Sequence, residues 1–180
     1  MIHQIVIAGF GGQGVMTMGQ LLTYAGMLEG REVSWLPSYG PEMRGGTANC
    51  HVIISGEGAV GSPIVTDATA VMVMNRPSLA KFEPLTVSNG LLLINASLIT
   101  DRPKREDIEV LYVPANEIAD ELGDTRIANM VMLGAYLKRT GAVTVDSIEK
   151  ALHKAFGERK AELIPVNIQA LKRGADCISR

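Results

Sequence analysis

Residues 5–22, with the sequence IVIAGFGGQGVMTMGQLL, decide the predicted fold of this 180-residue chain. The run before the glycines is β-branched, too short for a helix and apolar on both faces, which is typical of a central parallel strand. Apolar side chains then recur at helical spacing over residues 14–29, and Gly30 closes the predicted helix. The segment GFGGQG, residues 9–14, therefore occupies the place of a phosphate-binding turn between a strand and a helix.

The rest of the chain continues this alternation of strands and helices. Further strands are predicted at residues 32–36, 48–55, 70–74, 91–94 and 108–113, and helices at 78–85, after Pro114, from Ile127, at 145–156 and at 162–177. The first strand, helix and second strand form a right-handed βαβ unit by default, and the alternating strand 48–55 is expected at a sheet edge. The predicted class is α/β, with a Rossmann-like, mostly parallel sheet flanked by helices and a helical C-terminal portion, in a single domain spanning residues 1–180.

Composition disfavours several classes of function. The 17 basic and 19 acidic side chains give a net charge of −2, without the basic surplus that binding to nucleic acid or a membrane surface usually requires. Because no apolar run reaches the length of a membrane span, we expect a cytoplasmic protein with protein or small-molecule partners. The two cysteines, Cys50 and Cys177, are too few for a zinc site or an iron–sulfur cluster, so any redox metal is expected in another chain.

The glycine segment has a physical reason to bind an anion. Gly9, Gly11 and Gly14 satisfy the G-x-G-x-x-G pattern, in which glycines allow close backbone approach and the first helical N–H groups lack intrahelical partners. A tight turn that binds nothing is the alternative. A dinucleotide site also needs an acidic residue at the end of the second strand, but residues 35–39 there read WLPSY. This absence disfavours NAD, and the lack of a GxxxxGK[ST] sequence disfavours a P-loop.

A long loop and an asparagine are expected at the same edge of the sheet. Residues 37–47, PSYGPEMRGGT, follow the second strand, and Arg44 beside two glycines is suited to gripping a phosphate or carboxylate. Alternatively, this arginine pairs with a neighbouring glutamate, or the loop packs against a partner chain. Asn95 ends a predicted parallel strand, where it is either a binding residue or a turn cap.

Four segments together resemble a known family. They are IVIAGFGGQGVMTMGQLL at 5–22, SYGPEMRGGTANCHVIIS at 38–55, GSPIV at 61–65 and NMVMLGAYLK at 129–138. In this order they are similar to the gamma subunit of the 2-oxoacid:ferredoxin oxidoreductases, and the likeness covers nearly the whole chain. The stretch YGPEMRGGTANC is most similar to the 2-oxoglutarate branch.

The resemblance implies a role inside a larger enzyme. Such enzymes use coenzyme A to convert a 2-oxoacid oxidatively to an acyl-CoA and carbon dioxide, and they pass two electrons to ferredoxin. The resemblance places thiamine diphosphate and Mg between alpha and beta subunits, and [4Fe-4S] clusters in the beta and small delta subunits. It places coenzyme A near this chain's glycine turn and the loop facing it. The coenzyme A contacts that it nominates are Gly11, Gly12, Gln13, Gly14, Ser38, Met43, Arg44, Gly45, Gly46 and Asn95.

Three functions remain open at the level of sequence. The favoured one is a gamma subunit, inactive alone, that contributes to coenzyme A binding and assembly without catalytic residues of its own. The second is a stand-alone Rossmann-type NAD(P)-dependent oxidoreductase, against which the missing acidic residue counts. The third is a purely structural interaction module whose glycine turn binds nothing.

Overall fold

The computed structural model describes residues 1–38 and 47–178, apart from the side chain of Arg159. Its strands are β1 (Ile2–Gly9), β2 (Glu32–Ser38), β3 (Ala48–Ser55), β4 (Ala68–Val73), β5 (Thr86–Asn95) and β6 (Glu109–Val113). Its α-helices are α1 (Val15–Leu28), α2 (Arg76–Phe82), α3 (Ala115–Glu121), α4 (Ala128–Thr140), α5 (Val145–Phe156) and α6 (Ile164–Cys177). Short 3₁₀ turns cover Glu83–Leu85, Thr125–Ile127 and Glu158–Leu163.

The described strands form one mixed sheet. Their order is β2-β3-β1-β4-β5-β6. The pairs β1–β4, β4–β5 and β5–β6 are parallel, whereas β3 is antiparallel to both of its neighbours, β1 and β2. Every described strand except β3 therefore runs in one direction. The predicted class, a mostly parallel α/β sheet with helices and a helical C-terminal portion, is confirmed.

The prediction of an edge position for residues 48–55 is wrong. β3 lies between β1 and β2, with Ile7 opposite Cys50 and Trp35 opposite Val52. All but one of its residues are buried. Asn49 and Ser55 alternate with apolar residues, and such polar positions suggest a strand with one face in solvent. Both are buried here, at 6% and 3% exposure. Alternation indicates a half-exposed strand only where the polar face is solvated.

The predicted βαβ unit is split by the same strand. β1 and β2 run in the same direction and α1 connects them, but β3 takes the place beside β1 that the second strand was expected to fill. Its first residue, Ala48, pairs with Gly9, and the following Asn49 pairs with Ser38. The ends of β1 and β2 and the start of β3 therefore share one edge of the sheet.

Helices cover the two faces of the sheet unequally. Side chains of α1, α3, α4, α5 and α6 join one apolar cluster with alternate strand residues such as Ile5 and Ile7. The opposite strand residues, such as Val6 and Ala8, pack in a second cluster with α2. Burial on both faces stabilises the central strands. None of the described helices is long and apolar enough to cross a membrane.

The closest helix crossing joins α4 to α6. A Cβ atom added to Gly134 would lie 2.0 Å from the Leu171 carbonyl oxygen, and one added to Gly174 would lie 1.9 Å from that of Val131. The two backbones are therefore in direct contact, which only glycine permits. This crossing fixes α4, whose first turn packs against the glycine turn.

Candidate anion-binding site at the glycine turn

The glycine turn joins the carboxyl end of β1 to α1. Gly12 and Gly14 adopt positive φ angles of 91° and 74°, a region that side chains with a Cβ atom enter only with strain. None of the described residues lies within 4 Å of the position that a Cβ atom on Gly12 would take, whereas one on Gly14 would lie 2.3 Å from Nδ2 of Asn129. Gly14 is thus required by packing as well as by backbone, whereas no described residue packs against the Cβ position of Gly12.

The side chain of Gln13 holds the turn in place. Its Oε1 accepts a hydrogen bond from the Phe10 N–H at 2.7 Å, and its Nε2 donates to the Met74 carbonyl oxygen at 3.1 Å. The Gln13 N–H itself donates to the Phe10 carbonyl at 3.2 Å. Gln13 therefore ties the turn to the end of β4. Both Oε1 and Nε2 of its side chain already form hydrogen bonds within the protein, so this side chain shapes the turn in the described structure.

The N-terminus of α1 is suited to an anion. Gly14 is the capping residue and offers no side-chain cap, and the first turn of this 14-residue helix contains no acidic residue. The first N–H groups of an α-helix have no intrahelical acceptor, and the helix dipole places partial positive charge there. An external anion can fill this role.

Two cavities meet at Gly12. The first, which we call the α1 cavity, has a volume of about 300 Å³. The residues that line it are Phe10, Gly11, Gly12, Gly14, Val15, Met16, Thr17 and Ala48. It opens beside the first turn of α1, and Phe10 is 42% exposed at its rim. Its described wall is mainly backbone and apolar side chains.

The second cavity, the α4 cavity, lies on the other side of Gly12. Its volume is about 220 Å³. The residues that line it are Gly12, Gln13, Met74, Asn116, Thr125, Arg126 and Ala128. These come from the glycine turn, from the end of β4 and from the starts of α3 and α4. This wall carries a charged side chain, that of Arg126, which the described wall of the α1 cavity lacks.

The buried Asn95 is hydrogen-bonded to Asn116, which lines the α4 cavity. Asn95 is fully buried, and its Nδ2 donates to Oδ1 of Asn116 at 2.8 Å. The Oδ1 of Asn95 has no hydrogen-bond partner. Asn95 lines neither cavity and reaches the α4 cavity only through Asn116. Its main-chain oxygen accepts from the N–H groups of Leu98 and Ile99, so the residue also organises the turn after β5.

Arg126 is held in a fixed orientation at the start of α4. Its Nε and Nη2 donate to the two carboxylate oxygens of Asp124, each at 2.8 Å. This pair lowers the pKa of the Asp124 carboxyl and raises that of the guanidinium. Since Nη1 has no partner within the described part of the chain, Arg126 has a donor left for a ligand.

The remaining nominated residues divide into two groups. Ser38 is the last residue of β2. It and Ala8 of β1 both pair with Asn49 of β3, which lies between them. Two ordinary strand spacings therefore separate the backbones of Ser38 and Ala8, a distance of about 10 Å. Met43, Arg44, Gly45 and Gly46 lie outside the described residues. The segment that contains them begins after Ser38 and ends before Thr47, so both of its described flanks lie at the edge of the sheet that carries the glycine turn.

The described walls of the two cavities contain no His, Cys, Asp or Glu side chain. Burial raises the pKa of the nearby Cys50 thiol to about 12, so this group remains protonated and unreactive. Burial lowers the pKa of His51, and its Nδ1 accepts a hydrogen bond from the Val65 N–H at 2.9 Å. Among residues 1–38 and 47–178, no cluster of His, Cys, Asp or Glu is placed to hold a metal ion.

Comparison with known proteins decides the family. The sequence model of pyruvate ferredoxin/flavodoxin oxidoreductase matches residues 4–177. The chain belongs to this family. The family assignment confirms the resemblance that the four sequence segments carry.

Two kinds of relative in this oxidoreductase family differ in length. The chain is 42% identical to ketoisovalerate oxidoreductase subunit VorA of Methanothermobacter marburgensis over 96% of its own residues, but it spans only 36% of VorA. It is 34% identical to the 2-oxoglutarate synthase subunit KorC of the same organism, with 99% of this chain and 97% of KorC covered. The same domain therefore occurs both as a chain of this size and as part of a longer one.

Solved structures of the family share the fold. The gamma subunit of a keto/oxoacid ferredoxin oxidoreductase from Geobacter sulfurreducens superimposes with a TM-score of 0.84 at 25% identity, over 99% of both chains. A 2-oxoglutarate:ferredoxin oxidoreductase from Magnetococcus marinus, solved with 2-oxoglutarate, coenzyme A and succinyl-CoA, gives 0.86 at 22% identity, over 98% of this chain and 31% of that one. This second likeness is one of fold alone.

The sequence predicted Gly11, Gly12, Gln13 and Gly14, which line the two cavities, but not the other wall residues. Phe10 lies inside the glycine pattern, but the pattern specifies only its glycines. Asn116 and Arg126 come from segments that follow β6 and α3, far along the chain from the turn. The available signals were local: Asn116 follows a strand end, and Asp124 caps the turn that carries Arg126.

Proposed function

We propose that residues 1–180 form one gamma-type domain of a 2-oxoacid:ferredoxin oxidoreductase, inactive alone, that contributes to coenzyme A binding and assembly. The complex would convert a 2-oxoacid and coenzyme A to an acyl-CoA and carbon dioxide, with ferredoxin as the electron acceptor. Alpha, beta and small delta subunits would be its partners and would hold thiamine diphosphate, Mg and [4Fe-4S] clusters. The proposed coenzyme A contacts on this chain remain those nominated from the sequence, with Gln13 acting through its backbone and Asn95 acting through Asn116, to which it is hydrogen-bonded.

The uncapped N-terminus of α1 beside Gly12 is the observation that carries this proposal. Coenzyme A presents a diphosphate, and the N–H groups of the first helical turn are donors without a side-chain acceptor. The open space at the Cβ position of Gly12 lets backbone approach a ligand closely. Arg44 is the cation that we propose for the same phosphates, with Met43, Gly45, Gly46 and Ser38 completing the facing wall.

We propose 2-oxoglutarate as the substrate of the complex. KorC, named as a 2-oxoglutarate synthase subunit, matches this chain from end to end, and YGPEMRGGTANC resembles that branch. VorA, named for ketoisovalerate, is the more identical sequence. Steady-state assays of the purified complex with 2-oxoglutarate, 2-ketoisovalerate and pyruvate decide between them: the proposal requires the highest kcat/KM for 2-oxoglutarate.

A coenzyme A titration of the complex tests the binding role. The tagged chain is expected to co-purify with thiamine-dependent partners from its native cell, and the complex is titrated by calorimetry. A Gly12→Ala chain is expected to raise the Kd for coenzyme A at least tenfold, about 1.4 kcal/mol, because the methyl group occupies the ligand's path. Gly58→Ala is the matched control, since Gly58 has a φ of 94° and nothing within 4 Å of its Cβ position.

The two alternatives predict different results. If the chain is a structural module, complexes that carry the Gly12→Ala or the Gly58→Ala chain should bind coenzyme A with the same Kd. If the tagged chain co-purifies with no thiamine-dependent partner, the proposed role as a gamma subunit of such a complex is contradicted. A stand-alone NAD(P) enzyme is disfavoured by the sheet: β3 occupies the place beside β1 where the ribose-binding strand belongs, and β2 ends without an acidic residue. NADH titration of the isolated chain with no fluorescence change would exclude it.

A further inference from the structure

The two faces of the sheet are covered differently around the start of β1 and the end of β3. On the face that carries Ile5 and Ile7, five α-helices pack against the strands. On the opposite face, α2 is the one α-helix of the described chain that joins the apolar cluster, and it packs against β1 and β4. Beside it, the cover consists of residues 56–67, which form neither helix nor strand.

The segment GSPIV, residues 61–65, is held against this second face. The Val65 N–H donates to Nδ1 of His51 on β3 at 2.9 Å, and the Val65 side chain is buried in the second apolar cluster. The Ile64 N–H donates to Oγ of Ser62 at 3.2 Å, and the proline of the segment restricts the backbone between them. Ile64 is therefore fixed between anchored neighbours, yet it is 57% exposed.

A cavity of about 320 Å³, which we call the loop cavity, lies between this segment and the sheet. The larger apolar residues that line it are Ile2, Ile53, Val60 and Ile64. The other lining residues are small or polar and carry no charge: Gln4, Ser55, Ala59, Gly61, Ser62 and Thr66. Because Ile2 is 46% exposed and Ile64 57%, the rim of the cavity is apolar as well. Exposed apolar side chains that adjoin one another are typical of an interaction site.

The segments that form the loop cavity carry acidic charge only. Residues 47–75, which include β3, the covering segment and β4, contain no lysine or arginine, and neither do residues 1–30. Glu57 and Asp67, near the two ends of the covering segment, are exposed carboxylates. An apolar surface with an acidic rim is complementary to a protein surface that has apolar side chains within a basic rim.

We propose that a partner subunit of the oxidoreductase complex docks on the loop patch, which consists of Ile2, Val60, Ile64 and the loop cavity that they border. The partner inserts an aliphatic side chain into the cavity and places lysine or arginine side chains beside Glu57 and Asp67. Ile64 is the anchor on this chain, because its fixed backbone loses little entropy when the side chain is buried. The assignment rests on the proposed function, since the partner belongs to that complex, but it uses the start of β1 and not the glycine turn at its end.

Replacement of the anchor tests this surface in the purified complex. The complex is prepared with a tagged Ile64→Ser chain and diluted stepwise, and mass photometry measures the fraction that stays assembled. We expect the Kd for this chain to rise about tenfold, because the apolar side chain that leaves water on assembly is lost. Since Ile64 is 57% exposed, the isolated variant should unfold at the same temperature as the unaltered chain.

Leu28→Ser is the matched control for the anchor. Leu28 is 54% exposed, and it is the last residue of α1, which packs on the opposite face of the sheet. The Kd of its complex should equal that of the unaltered complex. Equal values for the Ile64→Ser and Leu28→Ser complexes would overturn the assignment.

A charge reversal tests the chemistry of the partner. Asp67→Lys is expected to slow association with the immobilised partner subunits about threefold in surface plasmon resonance, because a charge at the rim acts mainly on the association rate. Glu149→Lys, at an exposed position of α5, changes the net charge equally and should leave the rate unchanged. Unchanged or faster association of the Asp67→Lys chain would overturn the basic rim.

The remaining outcomes separate this inference from the proposed function. If the isolated chain sediments as a dimer that Ile64→Ser dissociates, the loop patch binds a second copy, and its assignment to a partner subunit is wrong. If the Ile64→Ser complex assembles normally and binds coenzyme A, the assigned surface is wrong and the proposed function stands. If the tagged chain co-purifies with no thiamine-dependent subunit, the proposed function fails, and the inference fails with it.

Discussion

The glycine turn and the crossing of α4 with α6 both depend on glycine, for different physical reasons. At the turn, Gly12 and Gly14 have φ angles of 91° and 74°, so the backbone conformation excludes a Cβ atom. At the crossing, Gly134 and Gly174 lie in helices, and Cβ atoms there would lie 2.0 and 1.9 Å from carbonyl oxygens of the partner helix. The positive φ angle favours glycine at positions 12 and 14, whereas the lack of space for a Cβ atom requires glycine at positions 134 and 174.

The contrast separates glycines that the packing of the fold requires from a glycine that it does not. Gly134 and Gly174 are buried inside a helix pair, where any added atom must push the helices apart. No described residue obstructs the Cβ position of Gly12, which is why we propose it as a ligand contact. Gly14 combines both requirements, because Asn129 covers its Cβ position. Substitutions at these positions should therefore differ in stability cost and in their effect on ligand binding.

The largest loss of stability is expected for Gly174→Ala. The new Cβ atom would overlap the Val131 carbonyl, and backbone cannot move aside as a flexible side chain can, so we expect a loss of about 4 kcal/mol in the free energy of unfolding. Urea denaturation of the purified chain measures it. Lys172→Ala, at an exposed position of α6, is the control and should change stability by less than about 0.5 kcal/mol. Equal stability of the Gly174→Ala and Lys172→Ala variants would contradict the direct backbone contact between α4 and α6.

Gly14→Ala is expected to cost about 3 kcal/mol. Strain at positive φ contributes about 1 to 2 kcal/mol, and the overlap with Asn129 adds the rest. The double variant Gly14→Ala/Asn129→Ala removes the two shortest overlaps, with Nδ2 and Cγ of Asn129, and keeps the contact with Cβ at 2.9 Å and the strain. It should therefore be more stable than additivity of the two single variants predicts, as measured by a double-mutant cycle. Simple additivity would show that Asn129 does not press on this position.

Gln13→Ala is expected to cost about 2 kcal/mol. It removes the acceptor for the Phe10 N–H and the donor for the Met74 carbonyl, and each hydrogen bond contributes about 1 kcal/mol. Thermal unfolding measures the loss. Gln13→Glu keeps the acceptor and loses the donor, so its stability should fall between those of Gln13→Ala and the unaltered chain. A fully stable Gln13→Ala chain would mean that the turn does not depend on this side chain.

The smallest stability loss is expected for Gly12→Ala. Strain is its only cost, about 1 kcal/mol, since its Cβ position is open. Gly58→Ala, with nearly the same φ and equal space, should unfold at the same denaturant concentration. A stability loss at Gly12 well above that at Gly58 would mean that the turn is packed against protein, which would remove the distinction between the two glycine regions.

The local structure around the turn followed from the sequence because it depends on neighbours in the chain. The run Ile5-Val6-Ile7, apolar on both faces, and the helical spacing after Gly14 predict β1 and α1 closely. The predicted helix at 145–156 coincides with α5. By contrast, Gln13 was nominated as a ligand contact, and its side chain is instead bonded to Phe10 and Met74, which local patterns do not indicate.

The sequence by itself determined the alternation of strands and helices, the glycine turn between β1 and α1 and the family, because each depends on residues close together in the chain or on an ordered set of motifs. Tertiary structure alone decided that β3 enters the sheet between β1 and β2, that the 3₁₀ turn before α4 brings Arg126 to the same cavity as Gly12, and that Asn95 bonds to Asn116. These arrangements depend on which elements bury their apolar faces against one another. Such long-range packing leaves no periodic signal in a single sequence.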